Sequence, residues 1–362
     1  MKKINVKLKQ NSYQIFLGEE SLEYLINNIN SLPISKCLMI VDHNVEKHFS
    51  LLVRKLAASF NCHTFMYIFR ASELNKSLAE VNRIYDFLIR NSFGRDSAVL
   101  AIGGGITGDV SGFAASTFMR GVKFYQVPTT LLSMVDSSVG GKTGVNFSNR
   151  KNLIGTFYQP RGVFINKSFL STLPKREMIS GCGEIFKYAF LADKKNYRLV
   201  QNNLKNFLTG RDLSFEKLIE SCIKIKSVVV AQDEREESGL RKILNLGHTF
   251  AHAFEAESHY KLKHGEAVIG GIFTSLFLSK KLGLITSDKL NNFISDFKFL
   301  KPSRLLKKIK VEQVYEIMKK DKKSTGGKIN LVLIKDLGNV VVDVSADKNS
   351  LISSIQLMQD LI

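Results

Sequence analysis

The feature that most constrains the fold is an alternation, in the first half of the chain, between short apolar runs and segments of helical periodicity. Cys37-Leu38-Met39-Ile40-Val41 is one apolar run, and it stops at Asp42. From Ser77 to Asn91, Leu78, Val81, Ile84, Tyr85, Leu88 and Ile89 recur at helical spacing, and Ser77 with Glu80 is placed for a capping box. Ser97-Ala98-Val99-Leu100-Ala101-Ile102 is a second run, leading straight into Gly103-Gly104-Gly105. Phe124-Tyr125-Gln126-Val127 is a third, followed by Pro128-Thr129-Thr130. Unbroken apolar runs suit strands buried on both faces, and strands separated by helices pair in parallel. An α/β domain is expected here.

After Leu173-Pro174 the pattern changes. Helical segments dominate, such as Phe215 to Glu237 and Ala267 to Leu282, and strand character returns at Ile329-Asn330-Leu331-Val332-Leu333-Ile334. A boundary near residue 173 divides the chain into an α/β domain, 1–172, and a mainly helical domain, 173–362. The 362 residues suffice for two cores.

The net charge of +19 fits a nucleic-acid partner, an anionic small substrate or a lysine-rich solvated surface. No arginine-rich arm, zinc-finger spacing or RNP-like aromatic motif supports the first. The densest basic stretch runs from Lys301 to Lys328. Cys37, Cys62, Cys182 and Cys222 stand alone, which argues against a disulfide framework. Met1 to Val6 alternates like a strand and has no signal-peptide core, and the apolar stretch Ala267 to Ser279 is too short to span a bilayer. The expectation is a soluble cytoplasmic protein without membrane or nucleic-acid partners.

Three segments carry candidate chemistry. Gly103-Gly104-Gly105-Ile106-Thr107-Gly108 satisfies G-x-G-x-x-G between a strand and an expected helix, Asp109 to Met119. Glycines there let backbone approach a pyrophosphate at a helix N-terminus. No acid follows at the usual spacing, so Asp42 is the candidate for the nucleoside end. The stretch Pro128 to Asn152 reads as a polar loop that holds an anion with Lys142, Lys151 and Asn152. Gly141-Lys142-Thr143 is not a P-loop, because Asp136 stands where the first glycine is required. Four of seven histidines lie between His248 and His264. His248 and His252, four apart, share a helix face and can meet one metal. His259 reads as a surface or satisfied core histidine. The second residue of H-E-x-x-H is missing, which excludes that metalloprotease motif. Glu184, on an otherwise apolar helix, needs a metal or a lysine to be buried.

Taken together, these segments resemble the 3-dehydroquinate synthase family of sugar phosphate cyclases. The matching blocks are Gly103-Gly104-Gly105 to Arg120-Gly121, Pro128-Thr129-Thr130-Leu131-Leu132 through Gly144, Lys151 to Gly155, Glu184-Ile185-Phe186-Lys187-Tyr188, Asn245-Leu246-Gly247-His248-Thr249 and His264-Gly265-Glu266. They span nearly the whole chain in order. Two departures are Cys182-Gly183, where the family more often has an alanine before the glutamate, and an extra residue between Asp233 and Arg241.

The resemblance implies a Rossmann-like NAD-binding domain, a helical metal domain, an active site between them, and a homodimer. It implies conversion of 3-deoxy-D-arabino-heptulosonate 7-phosphate to 3-dehydroquinate and phosphate, by transient oxidation with NAD, phosphate elimination, re-reduction and aldol closure. By the same resemblance zinc or cobalt is held by Glu184, His248 and His264, and His252 moves to the substrate. Substrate positions are Arg120, Asp136, Lys142, Asn152, Lys187, Lys226, Arg241, Asn245, His252 and either Lys322 or Lys323. NAD positions are Asp42, Glu73, Lys76, Gly104, Gly105, Asp109, Thr129, Thr130, Leu132, Lys142, Lys151, Thr172 and Leu173. Alternatives are another sugar phosphate cyclase, or a metal-dependent alcohol or glycerol-phosphate dehydrogenase. Lys226, Arg241, Asn245 and His252 together favour the dehydroquinate enzyme.

Overall fold

A computed structural model describes residues 1–148, 150–208, 215–320 and 329–362. The chain forms two compact units. One comprises residues 1–174 with 226–235, and the other 175–225 with 236–362.

The first unit is built on a seven-stranded sheet. Its strands are β1 (Lys2–Val6), β2 (Tyr13–Leu17), β3 (Lys36–Asp42), β4 (His63–Phe69), β5 (Ala98–Gly103), β6 (Lys123–Pro128) and β9 (Gly162–Ile165). The order is β1-β2-β9-β6-β5-β3-β4, parallel throughout except for the β1–β2 hairpin. Helices α1 (Ser21–Asn30), α2 (His43–Ala58), α3 (Leu78–Arg90) and α4 (Gly105–Thr117) connect the strands. The alternation predicts this architecture, and the three apolar runs become β3, β5 and β6. Every residue of β5 is buried, as a strand covered on both faces must be. Val99, Ala101, Val110, Phe113, Phe124 and the inner face of α3 (Val81, Ile84, Leu88) form one core cluster. Ser77 caps α3 by accepting from the Glu80 N–H at 3.4 Å. The expected capping box is only half made, because the Glu80 carboxylate turns to the Tyr67 hydroxyl at 2.8 Å and to Arg83 at 2.6 Å.

Two corrections concern the glycine-rich segments. The helix expected from Asp109 begins four residues earlier, because Gly104 serves as the N-cap of α4. The stretch expected to be a loop contains a wide π turn, Ser133–Ser137, and then a hairpin of β7 (Lys142–Phe147) and β8 (Arg150–Phe157). Gly144 and Gly155 face each other across that hairpin, and a Cβ on Gly155 would lie 2.3 Å from the Thr143 carbonyl. The pair that permits the tight crossing also removes the β-branched signature of a strand.

The second unit holds α5 (Lys175–Phe190), α6 (Lys194–Leu208), α7 (Phe215–Gln232), α8 (His248–Glu257), α9 (His264–Lys281), α10 (Ser287–Asp296), α11 (Val311–Lys320), the hairpin β10 (Leu331–Asp336) and β11 (Asn339–Val344), and α12 (Lys348–Gln359). From Lys226 onward, α7 is counted with the first unit. The expected helix through Glu237 ends at Gln232. An aromatic cluster of Phe186, Phe190, Tyr197, Phe293 and Phe297 fills the core, with ring centroids 4.7–6.1 Å apart. Burying each phenyl ring contributes roughly 2–3 kcal/mol. Among the described residues no helix is long and apolar enough to cross a membrane.

Candidate functional site

In the first unit, β3 leads to β4 on one side of the sheet and β5 leads to β6 on the other. The carboxyl ends of β3 and β5 therefore flank a topological switch point, where open α/β sheets bind ligands. Asp42 ends β3, and Gly103 ends β5 just before the N-terminus of α4. A Cβ on Gly104 would approach Thr130 Cγ2 to 3.0 Å, and one on Gly105 would approach Ser137 Oγ to 2.9 Å. The glycines thus let Thr130 and Ser137 pack close against the start of α4, whose first-turn N–H groups favour an anion. Asp42 is buried and accepts from the Asn44 N–H at 2.8 Å and the Thr107 hydroxyl at 3.4 Å. Burial nevertheless pushes its carboxyl above the ordinary range.

A second polar group lies in the same unit. The buried Lys76 ammonium donates to Asp109 and to the Asn152 amide oxygen, each at 2.5 Å. Burial raises the Asp109 carboxyl and Lys76 opposes the shift. Asn152 adopts a left-handed backbone, φ 51°. Glu73 accepts from Asn146 at 2.8 Å and faces Lys151 at 3.5 Å. The Thr129 N–H donates to the Gly103 carbonyl at 2.9 Å, the Thr130 and Ser133 hydroxyls bond at 2.9 Å, and Leu132 leads into the π turn. Within that turn Asp136 pairs with Lys226, whose Nζ lies 2.9 Å from the carboxylate and 2.8 Å from the carbonyl oxygen. Lys142 is exposed at the start of β7 and Arg120 is exposed in a left-handed turn. Thr172 and Leu173 close the 3₁₀ turn at the end of the first segment.

In the second unit Glu184, His248 and His264 converge. Glu184 lies on α5, where every residue from Ser180 to Phe190 is buried. His248 and His264 are the first residues of α8 and α9. Very close helix contacts bring them together. A Cβ on Gly183 would fall 2.2 Å from the Gly265 carbonyl oxygen, and one on Gly265 would fall 1.7 Å from that of Ser180. Between α8 and α9, a Cβ on Gly271 would lie 2.1 Å from the Gly247 carbonyl oxygen, and Gly247 itself needs φ 79° to start α8.

Both imidazole Nε2 atoms lie 3.2 Å from Glu184 Oε1. The other nitrogens have partners of their own: His248 Nδ1 is 3.1 Å from the Leu246 carbonyl, and His264 Nδ1 is 3.3 Å from Glu255 Oε2. Lys187, one turn beyond Glu184 and fully buried, pairs with the second carboxylate oxygen and sits 4.8 Å from the Tyr188 ring centroid. Burial alone would raise the Glu184 carboxyl, but Lys187 and His248 hold it well below its usual range. Burial lowers His248. His264 also suffers burial, yet the carboxylates of Glu184 and Glu255 on its two nitrogens push it up to about 10.

The one-metal pairing of His248 with His252, expected from helical spacing alone, is not seen. Their rings are 5.8 Å apart and nearly perpendicular, and their nitrogens fall in different ligand groups: Glu184–His248–His264 and His252–Glu255–His264. Sharing a helix face does not make two short side chains converge when the first begins the helix and points to the neighbouring α5. Arg241 is buried, 3.5 Å from Glu236, in the 3₁₀ turn Leu240–Asn245 that ends at Asn245. Lys322 and Lys323 lie outside the described residues. Glu255 went unmarked in the sequence, although its spacing of seven from His248 places it on the same helix face.

Comparison with known proteins places the chain in a family. The family profile for the 3-dehydroquinate synthase N-terminal region matches residues 66–180, and that for the C-terminal region matches residues 181–324. A 3-dehydroquinate synthase of Pelagibacter ubique is 41% identical over 357 residues, covering 96% of each chain. Among solved structures, 2-epi-5-epi-valiolone synthase from Streptomyces hygroscopicus with NAD+ and Zn2+ bound superposes with a TM-score of 0.85 at 24% identity, covering 98% of each chain. A 2-deoxy-scyllo-inosose synthase complexed with carbaglucose-6-phosphate, NAD+ and Co2+ gives 0.84 at 23% identity, covering 98% of this chain and 99% of that one. At that level of identity the structures speak for the fold, whereas the profiles and the full-length relative speak for descent: the chain belongs to the 3-dehydroquinate synthase family.

Proposed function

We propose that the chain is a phosphate-eliminating carbon–oxygen lyase that converts 3-deoxy-D-arabino-heptulosonate 7-phosphate to 3-dehydroquinate and phosphate. The observation that carries this reading is the Glu184–His248–His264 cluster. Tetrahedral zinc with bonds of about 2.0–2.1 Å separates its ligands by about 3.3 Å, and both histidine nitrogens are 3.2 Å from one Glu184 oxygen. Three protein donors leave a position for a substrate oxygen. The glycine-capped N-terminus of α4 and the buried Asp42 fit the pyrophosphate and ribose of NAD. Bound at these places, zinc or cobalt would supply Lewis acidity and NAD a reversible hydride acceptor.

The remaining work falls to this chain's own side chains. Lys187 and Arg241 are buried cations suited to the oxygens of a phosphate and a carboxylate. Asp136 holds the Lys226 ammonium in place, and Lys76 holds the Asn152 amide with its oxygen occupied and its N–H groups left to donate. Lys142 and Arg120 add positive charge, and Asn245 adds amide donors. His252, half-buried with its ring 6.1 Å from that of His264, can carry a proton at its imidazole. The 41% identity to a dehydroquinate synthase, against 24% to the valiolone synthase, favours this substrate over those of other cyclases. The same reading extends to a cytoplasmic homodimer, resting on the family resemblance and checked by light scattering.

The test is an assay of phosphate release from that heptulosonate with substoichiometric NAD and zinc or cobalt. One phosphate per substrate is expected, with no accumulation of NADH. Stoichiometric NADH would identify a dehydrogenase, and turnover of a different sugar phosphate another cyclase. Activity that survived both chelation and Glu184→Ala would remove the metal assignment.

A further inference from the structure

We propose that Glu255 is a positioning residue that fixes the ring of His264 so that Nε2, and not Nδ1, is presented beside Glu184 and His248. The inference rests on the reading of that cluster as a metal centre. Glu255 is 4% exposed, in the last turn of α8, and its Oε2 lies 3.3 Å from His264 Nδ1. An imidazole neutral enough to bind a metal carries one proton. With the Glu255 carboxylate accepting that proton at Nδ1, the lone pair is left on Nε2, which is the nitrogen 3.2 Å from Glu184 Oε1.

The backbone supports the same geometry. The Glu255 carbonyl accepts from the Tyr260 N–H at 2.7 Å and from the Ser258 hydroxyl at 3.0 Å. These bonds shape the turn between α8 and α9, in which His259 and Tyr260 both take left-handed conformations, φ 51° and 58°. Glu255 therefore organises both the segment that delivers His264 and the orientation of its ring. His248 meets the same need in another way, with Nδ1 at the Leu246 carbonyl, 3.1 Å away. One ligand is oriented by backbone and the other by a buried carboxylate.

A competing role is available, because His252, Glu255 and His264 also bring ligand atoms within 4.8 Å of one another. Glu255 would then be a ligand itself, with His264 turned to it or bridging two ions. Backbone shaping alone is a third possibility, in which the side chain is dispensable.

Metal binding separates these roles without reference to turnover. The full-length protein and its Glu255→Gln and Glu255→Ala variants are titrated with zinc against a chromophoric chelator, and the visible spectrum of the cobalt form is recorded. Wild type is expected to bind one ion per chain. Glu255→Ala is expected to lose about 10–100-fold in zinc affinity, and the near-isosteric Glu255→Gln to lose less while shifting the cobalt spectrum. In a His264→Ala background the further change Glu255→Ala is expected to alter affinity by less than about twofold, since the two act as one unit. Wild-type affinity in Glu255→Gln, with an unchanged cobalt spectrum, would overturn the proposal. So would two ions in wild type with one lost on Glu255→Gln. Should Glu255→Ala fail to fold, Glu255→Gln decides alone. Wild type that binds no metal would instead remove the metal reading, a separate failure.

Discussion

At Asp42 a carboxylate is buried at the end of a strand with a backbone N–H and a hydroxyl as partners, and burial still raises its pKa. A carboxyl with a folded pKa above its unfolded one holds its proton more tightly in the folded chain. The stability tied to neutral Asp42 is thus present at low pH and lost as pH rises through the raised value. A ligand that offers hydroxyls binds the ionised form. NAD affinity is therefore expected to fall as pH is lowered through that value, and Asp42→Asn to weaken binding about tenfold or more, the worth of one charge-assisted hydrogen bond. Calorimetric titration across pH checks both; a pH dependence that survives Asp42→Asn places the titrating group elsewhere. Glu184 illustrates the opposite balance. It and Lys187 are 1% and 2% exposed, so removing one charge strands the other. Glu184→Gln is expected to destabilise the metal-free protein by about 3 kcal/mol or more, and Glu184→Gln with Lys187→Met by much less, as read from denaturant midpoints. Both residues stand out in the sequence, one as an acid at a strand end and the other as an acid in an apolar helix. Their partners were less legible. Spacing alone joined His248 to His252, because periodicity reports which face a residue occupies and not what that face meets.

Among the elements, α5 and α9 are in contact through backbone. A methyl group at Gly265 would fall 1.7 Å from the Ser180 carbonyl oxygen, and one at Gly183 2.2 Å from that of Gly265. Backbone oxygens cannot swing aside as side chains do, so the helices themselves would have to part. Gly265→Ala is expected to cost about 1–3 kcal/mol, as overpacking does, and to lower metal affinity by drawing His264 away from Glu184. Gly183→Ala should do the same more weakly, since its Cβ would fall 2.2 Å from a backbone oxygen where that of Gly265 would fall 1.7 Å. Denaturant melts beside zinc titrations test this, and a full loss of stability with wild-type metal affinity would show that the contact serves packing alone. This device is invisible in sequence, where Cys182-Gly183 looks like a departure without consequence. Where apolar spacing is regular, as in α3, or continuous, as in β3 and β5, the elements could be read nearly to the residue. The β7–β8 hairpin could not. Its paired Gly144 and Gly155 carry no side chains, so the segment that presents Lys142, Lys151 and Asn152 reads as an irregular loop.

For the whole molecule, the alternation of runs and helices in the first half and the helical periodicity in the second were enough to anticipate the architecture. The participation of residues 226–235 in the first unit was not anticipated. Lys226 sits inside an uninterrupted helix whose sequence gives no sign that the lysine answers to Asp136, ninety positions earlier. Net charge is the property of the whole chain that remains. Fifty-two basic against thirty-three acidic side chains leave +19, and few of those charges belong to the residues described above. A field of that size attracts an anionic sugar phosphate over distances set by the Debye length, about 10 Å at 0.1 M salt. If the surplus steers substrate, raising salt from about 0.02 to 0.3 M should lower kcat/KM by roughly tenfold and leave kcat nearly unchanged, because screening acts on encounter and not on groups already in contact. A parallel fall in kcat would instead locate the salt effect at the bound complex. Duplex DNA that inhibits in competition with substrate, only at low salt, would show that the same charge also draws nucleic acid. Inert DNA with a salt-sensitive kcat/KM would tie the charge to the substrate, giving the lysine-rich surface a role in catalysis that no single lysine carries.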